Sequence, residues 1–115
     1  MNKPCILIYV SSPEEKIQKE ICAGIEEEGV LFEIVEKKEK DINTLAYDSA
    51  NDSILGTGIG IREDSCMLTL SSLPKNKNIF CVNQPSNLQA RYLGANAARI
   101  VKRKPFKEVE KDLYT

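Results

Sequence analysis

Six consecutive apolar residues, Cys5-Ile6-Leu7-Ile8-Tyr9-Val10, restrict the folds open to this chain more than any other segment. A run rich in strand formers, with no polar alternation, suits a strand covered on both faces. Covering both faces of a sheet calls for layers on either side, so the run predicts an α/β architecture rather than a sandwich of half-exposed strands. Helical sequence follows at once. Ser12, Pro13 and Glu15 read as N-cap, first helical residue and capping-box acid. The helix is expected to run to about Glu28, with Gly29 as its left-handed stop. Its apolar stripe is Ile17, Ile21, Gly24 and Ile25.

Val30 to Val35 reads as a second strand, and a helical crossover makes it parallel to the first. Glu36 to Asp41 is a charged loop of mixed sign. Ile42 to Ala50 is a short helix with Leu45, Ala46, Ser49 and Ala50 on one side. The pattern then changes. The apolar runs Ser53–Ile61 and Cys66–Ser71 are separated only by Arg62-Glu63-Asp64-Ser65, which forces an antiparallel hairpin. Leu73 to Asn78 is a polar turn, and Ile79 to Val82 is the fifth strand. Ser86 and Gln89 form a capping box for the last helix, whose buried face is read as Ala90, Leu93, Gly94, Ala97, Ile100 and Val101. The small residues on that face suit close approach to the sheet. Pro105 ends the helix. The result is a three-layer α/β/α sandwich with a mixed five-stranded sheet. One domain spans residues 1–106, and a charged tail, residues 107–115, is expected to fray.

Several function classes are excluded by what the chain contains. Its 115 residues suit one domain that buries about two-thirds of its unfolded surface. The net charge of −1 provides no overall field for nucleic acid. No stretch approaches the ~20 apolar residues of a membrane span, and no signal-peptide pattern opens the chain. Cys5, Cys22, Cys66 and Cys81 form no Cys-x-x-Cys pair and sit in apolar segments, so they read as buried free thiols in the reducing cytoplasm. There is no histidine, which removes the commonest general base and metal ligand.

Three segments remain as candidate chemistry. Gly56-Thr57-Gly58-Ile59-Gly60 has the glycines of a phosphate loop but lies within a strand, where alternating glycines more often admit a closely packed helix. Arg91, Tyr92, Asn96, Arg99, Lys102 and Arg103 are placed on the outer side of the last helix, where they read as a solvated, dipole-matched face or a protein contact. Glu26-Glu27-Glu28 is the most unusual of the three. Three adjacent carboxylates sit at the negative end of a helix, where each is disfavoured. A cation, either a metal or basic side chains, is expected to meet them. At about 100° per residue, Glu28 continues the buried stripe, Glu27 lies on its flank and Glu26 points away. The three therefore fan out and do not share one ligand.

Two segments resemble a known family. Gly24-Ile25-Glu26-Glu27-Glu28-Gly29, with Val30 and Phe32, is similar to its GIEEEGIPF segment, Leu31 replacing the proline. Asn96-Ala97-Ala98-Arg99-Ile100-Val101-Lys102, with Pro105-Phe106, is similar to its NNAARLVKGIPF segment. The family is the small subunit of the reactivating factor for cobalamin-dependent diol and glycerol dehydratases. The resemblance implies the fold of the dehydratase medium subunit, with strand order 2-1-3-4-5 and strand 4 antiparallel. It also implies a non-catalytic subunit docked on a large ATPase subunit that binds ATP or ADP, with two large and two small subunits in the complex. Subunit exchange with the dehydratase medium subunit would release damaged cobalamin. Glu27, flanked by Glu26 and Glu28 at the interface, would complete a magnesium or calcium site on the large subunit. The implied location is the cytoplasm, in association with a bacterial microcompartment. A dehydratase medium subunit and an unrelated α/β binding domain are the alternatives.

Overall fold

The computed structural model describes residues 3–38 and 41–107. Five strands and three helices follow along the described residues: β1 Ile6–Ser11, α1 Glu15–Glu27, β2 Phe32–Glu36, α2 Ile42–Asp52, β3 Thr57–Arg62, β4 Ser65–Leu70, β5 Phe80–Asn83 and α3 Asn87–Val101. The strands form one sheet in the order β2-β1-β3-β4-β5. β1 is parallel to β2 and β3, and β4 is antiparallel to both β3 and β5. α2 covers β1, β3 and β4 on one face, and α1 and α3 lie side by side on the other. This is the three-layer sandwich expected from the residues, with the strand order that the resemblance implies.

The apolar run does what its composition requires. Ile6, Ile8 and Val10 enter the core beneath α1 and α3, while Leu7 and Tyr9 alternate to the α2 face. Arg62 pairs with Ser65, leaving Glu63 and Asp64 as the two-residue turn between β3 and β4. Leu45, Ala46, Ser49 and Ala50 are the buried residues of α2. The glycines of β3 explain how closely that helix approaches. A side chain at Gly58 would collide with Ser49 and the Ala50 amide, and one at Gly60 would lie 2.7 Å from the Ala46 nitrogen. The Gly56–Gly60 segment is thus a bed for α2, and it leads into a turn and a strand rather than a phosphate-binding helix.

Four features depart from the sequence reading. Ser12 does not cap α1: its φ of 45° is left-handed, and Glu14 is the N-cap with no side-chain cap bond. The helix start is held instead by the Glu14 N–H donating to the Glu63 carbonyl (2.8 Å), so the β3–β4 turn replaces the capping side chain. Asn96 is buried, not on the outer face, because residues 105–107 fold back over α3. Its amide accepts from the Lys107 N–H (2.7 Å) and donates to the Lys107 carbonyl. Phe106 meets Phe80 at a centroid distance of 5.4 Å. Cys81 is exposed, because α2 leaves its face of the edge strand β5 uncovered. Cys5 and Cys66 are buried as expected, Cys22 is half-buried, and burial pushes Cys66 up to about 12 and Cys22 to about 11. The tail beyond Lys107 and residues 39–40 of the charged loop lie outside the described residues.

The fourth departure sets the position of the candidate site. The small residues of α3 approach α1 rather than the sheet. A side chain at Gly24 would collide with the Arg91 carbonyl, and one at Gly94 with the Ile21 carbonyl. Each helix therefore offers a glycine to the backbone of the other. Alanine at position 94 would gain about 1 kcal/mol of helix propensity over glycine. Against that, separating the two backbones costs about 2 kcal/mol or more, as overpacking typically does. Gly94→Ala should therefore lower stability in urea unfolding, and an unchanged or raised midpoint would contradict the contact.

Candidate functional site

Because α1 and α3 touch backbone to backbone, their C-terminal ends lie together, and so do two negative helix poles. The cations expected there are present as basic side chains of α3. Lys102, the C-cap of α3, donates to both the carbonyl (2.7 Å) and the side-chain Oε1 (2.8 Å) of Glu28, the C-cap of α1. Arg99 Nε donates to the other Glu28 oxygen at 3.0 Å. Glu28 is only 11% exposed, as its place on the buried stripe predicts. The Lys102 hydrogen bond, aided by Arg99, holds its carboxyl below the usual glutamate range despite partial desolvation.

More than two turns toward the N-terminus of α3, Arg91 joins two further acids of α1. Its Nε and Nη2 donate to Glu20 Oε1 at 2.9 and 2.8 Å, and its Nη1 to Glu27 Oε2 at 2.9 Å. Glu27 is 50% exposed, and its Oε1 accepts no hydrogen bond among the described residues. Glu26 is exposed to solvent. The three adjacent carboxylates thus point three ways: Glu28 into the helix pair, Glu27 along the rim beside Arg91, and Glu26 outward. Arg91, Arg99 and Lys102 are not a solvated stripe but the counter-charges of α1. The paired glycines and the spacing of 91, 99 and 102 along α3 carry that signal, once the two helices are known to touch.

Among the described residues, no group of three or more Cys, Asp, Glu or His side chains is placed to ligate a metal ion. Beside Arg91, Glu27 presents a hard oxygen donor on an exposed rim. Magnesium commonly takes only one or two protein carboxylates, so the donor fits a shared ion whose other ligands lie on a partner. Four large apolar side chains are exposed among the described residues; Leu31 (65%) before β2 and Ile54 (57%) after α2 are the most so, ahead of Phe106 and Ile34. On the α2 side, a cavity of about 250 Å³ opens between β1 and β2. There Tyr9 donates to Asp52, and Lys37 lies 4.4 Å over the Tyr9 ring. Burial and the Asp52 partner push the Tyr9 hydroxyl well above its ordinary value. No helix among the described residues is long and apolar enough to cross a membrane.

A mixed sheet in this order, carrying an acidic helix end, defines a class. Residues 3–107 match the family model described as dehydratase medium subunit. The propanediol dehydratase-reactivating factor small subunit of Citrobacter freundii is 33% identical over 94% of each chain. The diol dehydratase-reactivating factor small subunit of Klebsiella michiganensis is 30% identical over 96% of this chain and 90% of its own. A solved diol dehydratase-reactivating factor complexed with ADP and Mg²⁺ superimposes with a TM-score of 0.88, at 29% identity, covering 93% of this chain and all of that one. A glycerol dehydratase reactivase superimposes with a TM-score of 0.86, covering 92% and 98%. The chain belongs to the family of dehydratase-reactivating factor small subunits.

The Glu28 pair gives stability a defined pH dependence. The folded carboxyl binds its proton at lower pH than the unfolded one, so the pair contributes fully above the ordinary glutamate range and is lost as pH falls through the lowered value. At neutral pH, Glu28→Gln should cost about 1–3 kcal/mol, as expected for a hydrogen-bonded charged group. That difference should shrink toward zero in acid, when urea unfolding is compared at neutral and low pH. A gap that stays constant with pH would contradict the assignment.

Proposed function

We propose that this chain is the small, non-catalytic subunit of an ATP-dependent reactivating chaperone for a cobalamin-dependent diol or glycerol dehydratase. It docks on a large ATPase subunit, two of each forming the complex, in the cytoplasm and in association with a bacterial microcompartment. Nucleotide bound by the large subunit loosens the small one. The large subunit then takes up the medium subunit of an inactivated dehydratase in its place, and damaged cobalamin escapes. The observation that carries this reading is the double likeness of the chain. Its sequence matches a family model described as dehydratase medium subunit, while its similar relatives are reactivating-factor small subunits. A chain shaped like a dehydratase component is suited to compete with that component for one surface.

Glu27 is the residue assigned to the shared ion, magnesium or calcium, with Glu26 and Glu28 beside it at the interface. When bound, such an ion supplies concentrated positive charge and an oxygen-seeking coordination sphere. Glu28 is occupied by Arg99 and Lys102, and Glu26 is exposed but held by neither helix, so Glu27 is the one that combines exposure, an oxygen held by Arg91 and an oxygen left unbonded. The relative solved with ADP and Mg²⁺ supports the presence of both in such complexes.

Size-exclusion chromatography of the chain mixed with its large partner tests the reading. A stable heterocomplex is expected, dissociating on addition of ATP. Glu27→Lys should weaken it by at least tenfold, because a cation then faces a cation. Equal elution of wild type and Glu27→Lys would remove Glu27 from the interface. Cobalamin binding on addition of a dehydratase large subunit, with no ATP-sensitive heterocomplex, would instead indicate a medium subunit.

A further inference from the structure

We infer that Arg91 is a positioning residue that holds Glu27 ready for the ion of the large subunit; this rests on Glu27 being a ligand of that ion. The placement of Arg91 follows from the helix contact. Its carbonyl lies against Gly24, and Glu20 and Glu27 stand four residues before and three after that glycine, on the same side of α1. The Arg91 fork is therefore set between the two acids by the backbone contact itself.

The two bonds are unequal, and the inequality suits positioning. Two N–H groups of Arg91 bind one oxygen of Glu20, which is 23% exposed. A single N–H reaches Glu27, and only its Oε2. Glu20 anchors the guanidinium and neutralises its charge. A third N–H, on Nη1, then restrains Glu27 while leaving Oε1 available. A glutamate on an exposed helix end otherwise samples many rotamers and must give them up on binding. Arg91 removes that cost beforehand. Without Glu20 the guanidinium would repel an approaching ion; with Glu20 in place the local pair is balanced. Lysine is a point charge on a flexible stem and does not reproduce a planar fork spanning two carboxylates. Arg91→Lys therefore separates positioning from charge.

The test is the magnesium concentration giving half-maximal assembly of the chain with its large subunit, followed by analytical ultracentrifugation. Arg91→Lys should raise that concentration about 3- to 10-fold, the factor expected for ordering one long side chain, and leave assembly at saturating magnesium unchanged. Glu20→Gln, which frees the anchor without touching the helix contact, should shift the midpoint in the same direction by less. Glu27→Gln should abolish the magnesium dependence. A wild-type midpoint in Arg91→Lys, with Glu27→Gln still altered, would overturn the positioning role and leave the ligand role of Glu27 standing. Loss of assembly in Arg91→Lys even at saturating magnesium would assign Arg91 to the interface or the fold and equally overturn it. An unaltered Glu27→Gln would remove the ligand role and the positioning role together.

Discussion

The contact between α1 and α3 through Gly24 and Gly94 governs the rest of this structure. Two helix backbones meet only where neither carries a side chain, and here each glycine faces a carbonyl of the other helix. The contact fixes the rotation and the axial register of both helices at once. Arg91 then falls between Glu20 and Glu27, and Lys102 falls on the carbonyl that ends α1. The acidic end of α1, unfavourable for an isolated helix, is compensated by the helix lying beside it. Most of these pairs lie partly in solvent, where ion pairs contribute little each. Their arrangement matters more for orientation than for stability.

The opposite face uses the same device for another purpose. Gly58 and Gly60 admit α2 onto β3, and α2 in turn presents Ser53, its C-cap, whose hydroxyl donates to the Cys5 carbonyl at 2.7 Å. Glycine thus brings α2 onto β3 on one face and α1 to α3 on the other. Such a rigid body suits a chain whose proposed task is to imitate another subunit, because imitation of shape requires that the shape be held. Leu31 just before β2 and Ile54 just after α2 remain exposed.

Much of this was legible in the residues, for identifiable reasons. The unbroken apolar run of β1, the four-residue link of the hairpin and the Ser86–Gln89 box are local signals, and local geometry decides them. The Leu45, Ala46, Ser49 and Ala50 stripe follows from helical period alone. What could not be read depends on neighbours distant in sequence. Ser12 has the spacing of a cap, but the β3–β4 turn already supplies the acceptor, so the chain adopts a left-handed turn instead. Asn96 looks polar and outward until residues 105–107 fold over it. The sheet order and the particular choice of Glu27 came from the resemblance to reactivating-factor small subunits, not from periodicity. The helical wheel did place Glu28 inward, Glu27 on the flank and Glu26 outward, and the structure agrees. It could not name their partners, because nothing in a single helix says which helix lies beside it.

The rim carboxylate of α1 is proposed to complete a coordination sphere that begins on another chain. The most direct test is a structure of this chain assembled with its large subunit in the presence of ADP and magnesium. The account predicts a Glu27 oxygen at about 2.1 Å from the ion, with Arg91 still bonded to the other oxygen. An ion ligated wholly by the large subunit and solvent, with Glu27 turned into bulk water, would contradict it.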